Sequence, residues 1–136
     1  MPRILVIDDD RDFLLAVRMV LEANGMEMEE ATTPAEGIDK VLSLKPDLVI
    51  LDVMMPTDYE GFQAAREIRE KHGLVDLPIL MLSNIHSVKQ VPYRFAPDED
   101  YLPVDVFLDK PIEPEHLVAT VQEMLGERRE EPRHPL

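Results

Sequence analysis

The 136-residue sequence predicts an α/β protein, a doubly wound parallel sheet of five strands with helices packed on both faces. Short apolar runs alternate with stretches whose apolar residues recur at helical spacing, which is typical of βα units. Most of these runs are continuously apolar, which indicates strands covered on both faces. The length suits one domain, which we place at residues 1–126, followed by a charged, flexible tail at residues 127–136.

Five runs have the length and composition of strands. They are Arg3 to Ile7, Met26 to Ala31, Leu48 to Leu51, Ile79 to Leu82, and Val104 to Leu108 with Asp105 inside it. The second run alternates methionine with glutamate, a pattern that suits an edge strand with one face in water. We therefore expect the second strand to lie at an edge of the sheet.

The first two helices carry clear start and stop signals. Apolar residues from Phe13 to Leu21 recur at helical spacing, and Asn24-Gly25 supplies the left-handed stop expected after a helix. Thr33 to Glu36 reads as a capping box with proline at the first helical position. The second helix is expected to bury a stripe of three apolar residues, Ile38, Val41 and Leu42.

Two later segments also have helical spacing. Residues 62–72 contain a favourable i,i+4 pair, Glu67 and Lys71, and Gly73 follows them. Residues 117–125 form the last predicted helix, which Gly126 is expected to end. Between the fourth and fifth strands, prolines interrupt residues 84–103, so we expect a long loop there with at most a short helix near residues 85–91.

The charge and composition exclude several classes of function. The formal net charge is −14, so the surface repels phosphate backbones and anionic lipid, and we expect no direct DNA or membrane partner. The absence of cysteine excludes disulfides, thiolate zinc sites and a cysteine nucleophile. The apolar runs are too short for a membrane span and the acidic start is unlike a signal peptide, so a cytoplasmic location is expected.

Acidic side chains collect where the first and third predicted strands end. Asp8, Asp9 and Asp10 follow the first, and Asp52 follows the third. The carboxyl ends of parallel strands share one edge, so these carboxylates converge if the two strands are neighbours. Such a group is expected to hold a proton or a hard cation, most economically Mg²⁺. Helix capping is the simpler explanation for Asp9 or Asp10 alone, and a weaker one for Asp52, which no helix follows directly.

Polar residues also end the fourth and fifth predicted strands. Ser83 follows one and Lys110 the other. Each alone has an ordinary explanation, as a strand-end serine or a solvated lysine. A hydroxyl, an ammonium and several carboxylates at one sheet edge can together form a small phosphoryl-binding pocket, and their joint occurrence at four strand ends favours that interpretation.

Four segments resemble the receiver domain of two-component response regulators. They are Ile4 to Asp10, Pro46 to Pro56, Pro78 to Ser83 and Phe107 to Pro111. Their order and approximate spacing agree with the family across residues 3–126, and the combination is specific although each piece alone is not. The resemblance implies a flavodoxin-like sheet of order 2-1-3-4-5, in its single-domain form, and a part in phosphorelay signalling rather than conventional enzyme catalysis.

The resemblance also implies the roles of the acidic residues. Asp52 would accept a phosphoryl group from phosphohistidine, and Asp8 and Asp9 would bind Mg²⁺. Asp9, Asp52 and the main-chain carbonyl of Met54 would be the direct ligands. A carboxylate is a competent nucleophile towards phosphorus once the incoming oxygens are neutralised, so the implied chemistry is physically sound.

Three further residues take implied roles in switching. Lys110 would pair with the phosphoryl group, Ser83 would be the switch hydroxyl, and Phe107 would be the switch aromatic residue. A new charge of nearly two units favours a conformation in which the hydroxyl turns inward. To change the ratio of active to inactive conformations from 1:99 to 99:1, phosphorylation must favour the active conformation by about 5.5 kcal/mol. Several charge-assisted hydrogen bonds can supply that free energy.

The resemblance implies partners as well. A sensor histidine kinase or a phosphotransfer protein would supply the phosphoryl group, a downstream protein would receive the signal, and homodimerisation is possible.

The chain departs from the family pattern in a longer loop at Thr57 to Gly61, in Asn84, and in residues 84–103. Tyr93, Phe95 and Tyr101 in that last segment either pin it to the domain or form a partner surface. The alternative function is a receiver-fold scaffold that binds proteins independently of phosphorylation.

Overall fold

The computed structural model describes residues 1–52, 60–84, 105–110 and 112–130. The elements are β1 (Arg3–Ile7), α1 (Arg11–Ala23), β2 (Glu27–Ala31), α2 (Pro34–Leu44), β3 (Leu48–Asp52), α3 (Glu60–Arg66), β4 (Ile79–Asn84), β5 (Val106–Lys110) and α4 (Pro114–Glu130). A π-helical turn, Glu67–Lys71, continues α3. Within the described ranges no helix is both long and apolar enough to cross a bilayer.

The five strands form one parallel sheet in the order β2-β1-β3-β4-β5. This confirms the predicted doubly wound architecture and the strand order that the family resemblance implies. It also confirms β2 as an edge strand. β1 and β3 are direct neighbours, with Ile7 opposite Leu51, so the next residue of each chain segment, Asp8 and Asp52, reaches the same level at the carboxyl edge.

Helices cover both faces of the sheet and divide the core into two layers. Alternate strand residues point to opposite faces, so each layer takes every second residue of the strands. In the first layer α1 and α4 contribute Leu14, Val17, Leu21, Leu117, Val118, Val121, Met124 and Leu125. In the second layer α2 and α3 with its π turn contribute Ile38, Val41, Ala64, Ala65 and Ile68. The central strands are therefore buried on both sides, as their continuous apolar sequences predict.

Side-chain caps begin the first two helices. One carboxylate oxygen of Asp10 accepts hydrogen bonds from the backbone N–H groups of Asp12 and Phe13 at the start of α1. Thr33 Oγ1 accepts from the Glu36 N–H at 3.1 Å at the start of α2. Glu36 Oε1 accepts in return from the N–H of Thr32, one residue before the cap, at 3.0 Å. The capping box is thus present, with its return bond shifted by one residue.

Helix ends agree with the sequence in two places and differ in one. Gly25 and Gly73 have φ of +80° and +69°, the left-handed conformation expected after α1 and after the π turn. The prediction that Gly126 ends the last helix was wrong, because α4 continues to Glu130. Gly126 is not among the described glycines with positive φ, and without that conformation a glycine only weakens a helix by about 1 kcal/mol.

The expectation that Leu42 is buried was also wrong. Its side chain is 43% exposed, whereas Ile38 and Val41 are buried as predicted. α2 rests on the sheet through Gly37, Ile38 and Val41, and Leu42 lines a surface groove that Val75 also lines. The predicted loop and short helix in residues 84–103, its three aromatic residues, and tail residues 131–136 lie outside the described residues, apart from Asn84, which ends β4.

A partly buried arginine on the π turn that continues α3 ties this turn to the amino-terminal ends of β4 and β5. Arg69 Nη1 donates to the carbonyl oxygens of Leu74 at 2.7 Å and Leu77 at 2.6 Å. Its Nη2 lies 3.0 Å from Asp105 Oδ2, which also accepts from the Ile79 N–H at 2.9 Å. Asp105, the polar interruption in the fifth apolar run, therefore precedes β5 and joins its start to that of β4.

We expect Arg69→Met to lower the free energy of unfolding by about 2 kcal/mol, because it removes charge-assisted hydrogen bonds to two main-chain carbonyls and one carboxylate. Urea titration followed by circular dichroism measures the change. Lys71→Met on the same turn is the matched control, since Lys71 is largely exposed and its pair with Glu67 spans 3.7 Å. Equal losses for the two variants would contradict the importance of the Arg69 contacts.

The Glu36 bond at the start of α2 makes a pH-dependent contribution to stability. The hydrogen bond from the Thr32 N–H, with a smaller effect of Lys40, lowers the pKa of Glu36 below its ordinary value. A carboxyl whose pKa is lower in the folded state stabilises that state above the unfolded-state pKa, and the contribution disappears as the pH falls through the folded-state pKa. Glu36→Gln should therefore be less stable than the wild type at pH ~7, and the difference should shrink in acid. Urea midpoints across that range measure it, and a difference independent of pH would contradict the assignment.

Candidate functional site

Three carboxylates meet at the carboxyl edge of the sheet. Asp8, Asp9 and Asp52 each offer an oxygen atom, and these atoms all lie within 4.8 Å of one another. Asp8 and Asp52 are buried, with 1% and 9% exposure, whereas Asp9 is exposed at the rim. This is the convergence expected if the first and third strands are neighbours.

Backbone contacts fix Asp8 in this cluster. The Asp8 N–H donates to the carbonyl of Ala31, the last residue of β2, at 3.0 Å. Asp8 Oδ1 accepts from the Asp10 N–H at 2.9 Å. The three consecutive aspartates therefore have different roles. Asp8 and Asp9 belong to the carboxylate cluster, whereas Asp10 caps α1.

The capping explanation offered for single aspartates therefore holds for Asp10 and not for Asp9. The contact between Ala31 and Asp8 could not be predicted from the sequence. Its contact uses a main-chain carbonyl, which any residue supplies, so the residue type carries no signal for it.

The cluster suits a hard divalent cation. Negative charges at this separation repel one another, and the burial of Asp8 and Asp52 makes their charged forms less favourable still. A cation bound among the three carboxylates would offset both costs. All three donors are carboxylate oxygens, the ligands preferred by Mg²⁺ and Ca²⁺ rather than by softer metals. The residues present fit the Mg²⁺ expected from the sequence.

Two other predicted site residues, Ser83 and Lys110, have backbone positions at the same edge. Asp52 is opposite Leu82 of β4, and Ser83 is the next residue of that strand. Lys110 is the last residue of β5 and is paired with Asn84. Phe107 lies within β5 opposite Met81. Met54 lies outside the described residues, and the proposed roles of these four residues stay predictions.

Comparison with known proteins identifies the family. The chain matches the family described as response regulator receiver domain over residues 4–122. It is 40% identical over 124 residues, 90% of its length, to the response regulator MprA of Mycolicibacterium vanbaalenii, of which the match covers 50%. It is 32% identical over 92% of its length to the DNA-binding dual master transcriptional regulator RpaA of Synechocystis, of which the match covers 49%. The chain belongs to the response regulator receiver domain family.

A solved structure supports the same conclusion. The CheY-like response regulator receiver domain protein of Methanospirillum hungatei matches with a TM-score of 0.77 and 26% identity, over 96% of this chain and 98% of the other. The chain spans about half the length of MprA and RpaA. The correspondence with these two relatives is therefore with one part of each of them.

We expect Mg²⁺ to raise the free energy of unfolding by about 1.4 kcal/mol at ten times its dissociation constant, because the cluster is complete only in the folded state. Asp9→Asn should abolish most of that increase, and in EDTA it should stabilise the fold slightly by removing one of three like charges. Denaturation in MgCl₂ and in EDTA measures both effects.

The exposed Asp39 of α2, which lies outside the cluster, gives a matched control for the Mg²⁺ measurement. Asp39→Asn should keep the full Mg²⁺ response. A response of Asp9→Asn equal to that of the wild type would show that the cluster is not the binding site.

Proposed function

We propose that this chain is a phosphoacceptor response regulator domain in which Asp52 receives a phosphoryl group from a histidine kinase or a phosphotransfer protein. The observation that carries the proposal is the meeting of Asp8, Asp9 and Asp52 within 4.8 Å. The backbone positions of Ser83 and Lys110 at the same edge support it. Membership of the receiver family supplies the class of reaction.

Asp52 is suited to act as the nucleophile. β3 is buried along its whole length and ends at Asp52, so the strand holds this carboxylate in a defined position. One carboxylate oxygen attacks the phosphorus atom, the bond between phosphorus and the donor histidine nitrogen breaks, and the product is an acyl phosphate on Asp52. Water later cleaves that product and releases inorganic phosphate.

The neighbouring acidic residues would hold the metal ion. Asp8, Asp9 and Asp52 would bind Mg²⁺, together with the Met54 carbonyl that the family resemblance implies. When bound, Mg²⁺ neutralises the phosphoryl oxygens. Asp8 is fixed by the Ala31 carbonyl and the Asp10 N–H, so its carboxylate is positioned before any ligand arrives.

Three residues would turn phosphorylation into a signal. The Lys110 ammonium would pair with the new phosphoryl charge, the Ser83 hydroxyl would donate a hydrogen bond to it, and Phe107 would follow the movement of Ser83. β4 and β5 are adjacent, so these residues belong to one part of the sheet. The surface that changes would then contact a downstream protein.

The proposal assigns partners by chemistry. A phosphohistidine protein is the upstream donor, and a protein surface is the downstream target. RpaA is by its name a DNA-binding regulator, but a net charge of −14 makes direct contact between this chain and nucleic acid unfavourable. We propose that the output of this domain passes through protein contacts.

Incubation with MgCl₂ and acetyl phosphate, followed by intact-mass spectrometry, tests the proposal. The wild type should gain the mass of one phosphoryl group, and the gain should require Mg²⁺ because the phosphoryl oxygens must be neutralised. Asp52→Asn should lose the adduct, because an amide is not a competent nucleophile here. Asp39→Asn, which removes an exposed carboxylate outside the cluster, should keep it.

The alternative function, a scaffold independent of phosphorylation, gives a different result. A folded wild type that is stabilised by Mg²⁺ but gains no phosphoryl group would overturn the phosphoacceptor proposal and favour the scaffold. An adduct that persists in Asp52→Asn would show that another residue is modified.

A further inference from the structure

The free edge of β2 is covered by cationic side chains from two helices. The Glu27 N–H donates to the Pro2 carbonyl, and the Ala31 carbonyl accepts from the Asp8 N–H, so these residues face β1. Successive residues of a strand direct their backbone polar groups to opposite sides. The backbone groups of Met28 and Glu30 therefore point away from the sheet, where another strand could bind.

Arg18 covers the first of the two outward carbonyls. From α1 its Nη1 donates to the Met28 carbonyl at 3.1 Å, and its Nη2 lies 3.0 Å from a Glu30 carboxylate oxygen. Glu22, one turn along α1, lies 3.3 Å from Nη1. The hydrogen bond to Glu30 raises the pKa of Arg18, so the guanidinium remains charged at any physiological pH. These contacts hold it across the strand edge.

Lys40 covers the second outward carbonyl from the opposite face of the sheet. From α2 its Nζ donates to the Glu30 carbonyl at 2.6 Å and lies 3.6 Å from Glu36. α1 packs on one layer of the core and α2 on the other. The two cations therefore reach around the edge from both sides and occupy consecutive outward acceptors.

We propose that Arg18 and Lys40 together close the β2 edge against strand addition, and that the strand they exclude is β2 of a second copy of this chain. An unprotected edge strand is a template for pairing with another chain, and natural proteins commonly block such edges with charged side chains. This proposal is independent of the phosphoacceptor function, because it uses contacts at the side of the sheet.

The geometry of β2 identifies a second copy as the fitting occupant. A two-fold axis at Glu29 would place Met28 opposite the partner's Glu30, so the outward N–H and C=O groups of both copies would pair in an antiparallel ladder. The same patch would serve both copies, which is the requirement for a closed dimer. The hydrogen bonds from Arg18 and Lys40 occupy the carbonyls that this ladder needs.

The double variant Arg18→Met with Lys40→Met tests the proposal. It frees both carbonyls and replaces each cation with an unbranched, uncharged side chain. Sedimentation velocity at high protein concentration, in about 0.5 M NaCl to screen the glutamates, should show a mass that moves from monomer towards dimer. Hydrogen exchange should show new protection of the Met28 and Glu30 amides that increases with protein concentration.

Arg11→Met with Lys71→Met is the matched control, because it makes the same two substitutions and removes the same charge outside the β2 contacts. It should associate no more than the wild type. Arg18→Ala with Lys40→Ala repeats the test if the methionine variant does not fold. A folded double variant with the mass of the control, or association without protection of the two amides, would overturn the proposal.

Discussion

The repulsion among Asp8, Asp9 and Asp52 is the interaction around which the carboxyl edge is organised. The sheet brings these charges together because β1 and β3 are neighbours at its centre. Two core layers supply the favourable free energy that holds them there. The stored repulsion makes the edge receptive to a cation, and a bound cation in turn makes it receptive to an anion. The convergence of the three carboxylates therefore follows from the strand order.

Local sequence patterns were sufficient for much of the fold and for part of the site. Continuous apolar strands and helical spacing identified the elements, and the alternating Met26 to Ala31 run identified the edge strand. The position of aspartates after strands predicted their convergence, because strand ends in a parallel sheet share an edge. The strand order itself came from the resemblance to the receiver family.

Features that depend on contacts between distant segments could not be predicted in this way. Asp105 is 36 residues from Arg69, and nothing in either local sequence indicates that they pair. Leu42 has the helical spacing of a buried residue. It is nevertheless exposed, because α2 packs on the sheet through Gly37, Ile38 and Val41. Glycine often ends a helix, but it does so only when its backbone adopts the left-handed conformation. The residue type alone does not show whether Gly126 adopts that conformation, and α4 continues past it.

The positively charged side chains of this acidic protein hold separate segments of the chain together. Cationic side chains donate to main-chain carbonyls at the margins of the sheet, among them Arg3, Arg18, Lys40 and Arg69. These cations are engaged in holding segments together, which leaves the carboxylates in excess elsewhere on the surface. A protein partner with a basic surface is accordingly a better match for this domain than a polyanion.

The register between β1 and β3 sets the level of the site residues. Pairing runs from Ile4 with Leu48 to Ile7 with Leu51, so Asp8, which follows β1, comes level with Asp52, the last residue of β3. Gain or loss of one residue within either strand would turn Asp8 or Asp52 to the opposite face of the sheet. A change of length is therefore compatible with the site in the connections that follow the strands and incompatible with it inside the strands themselves.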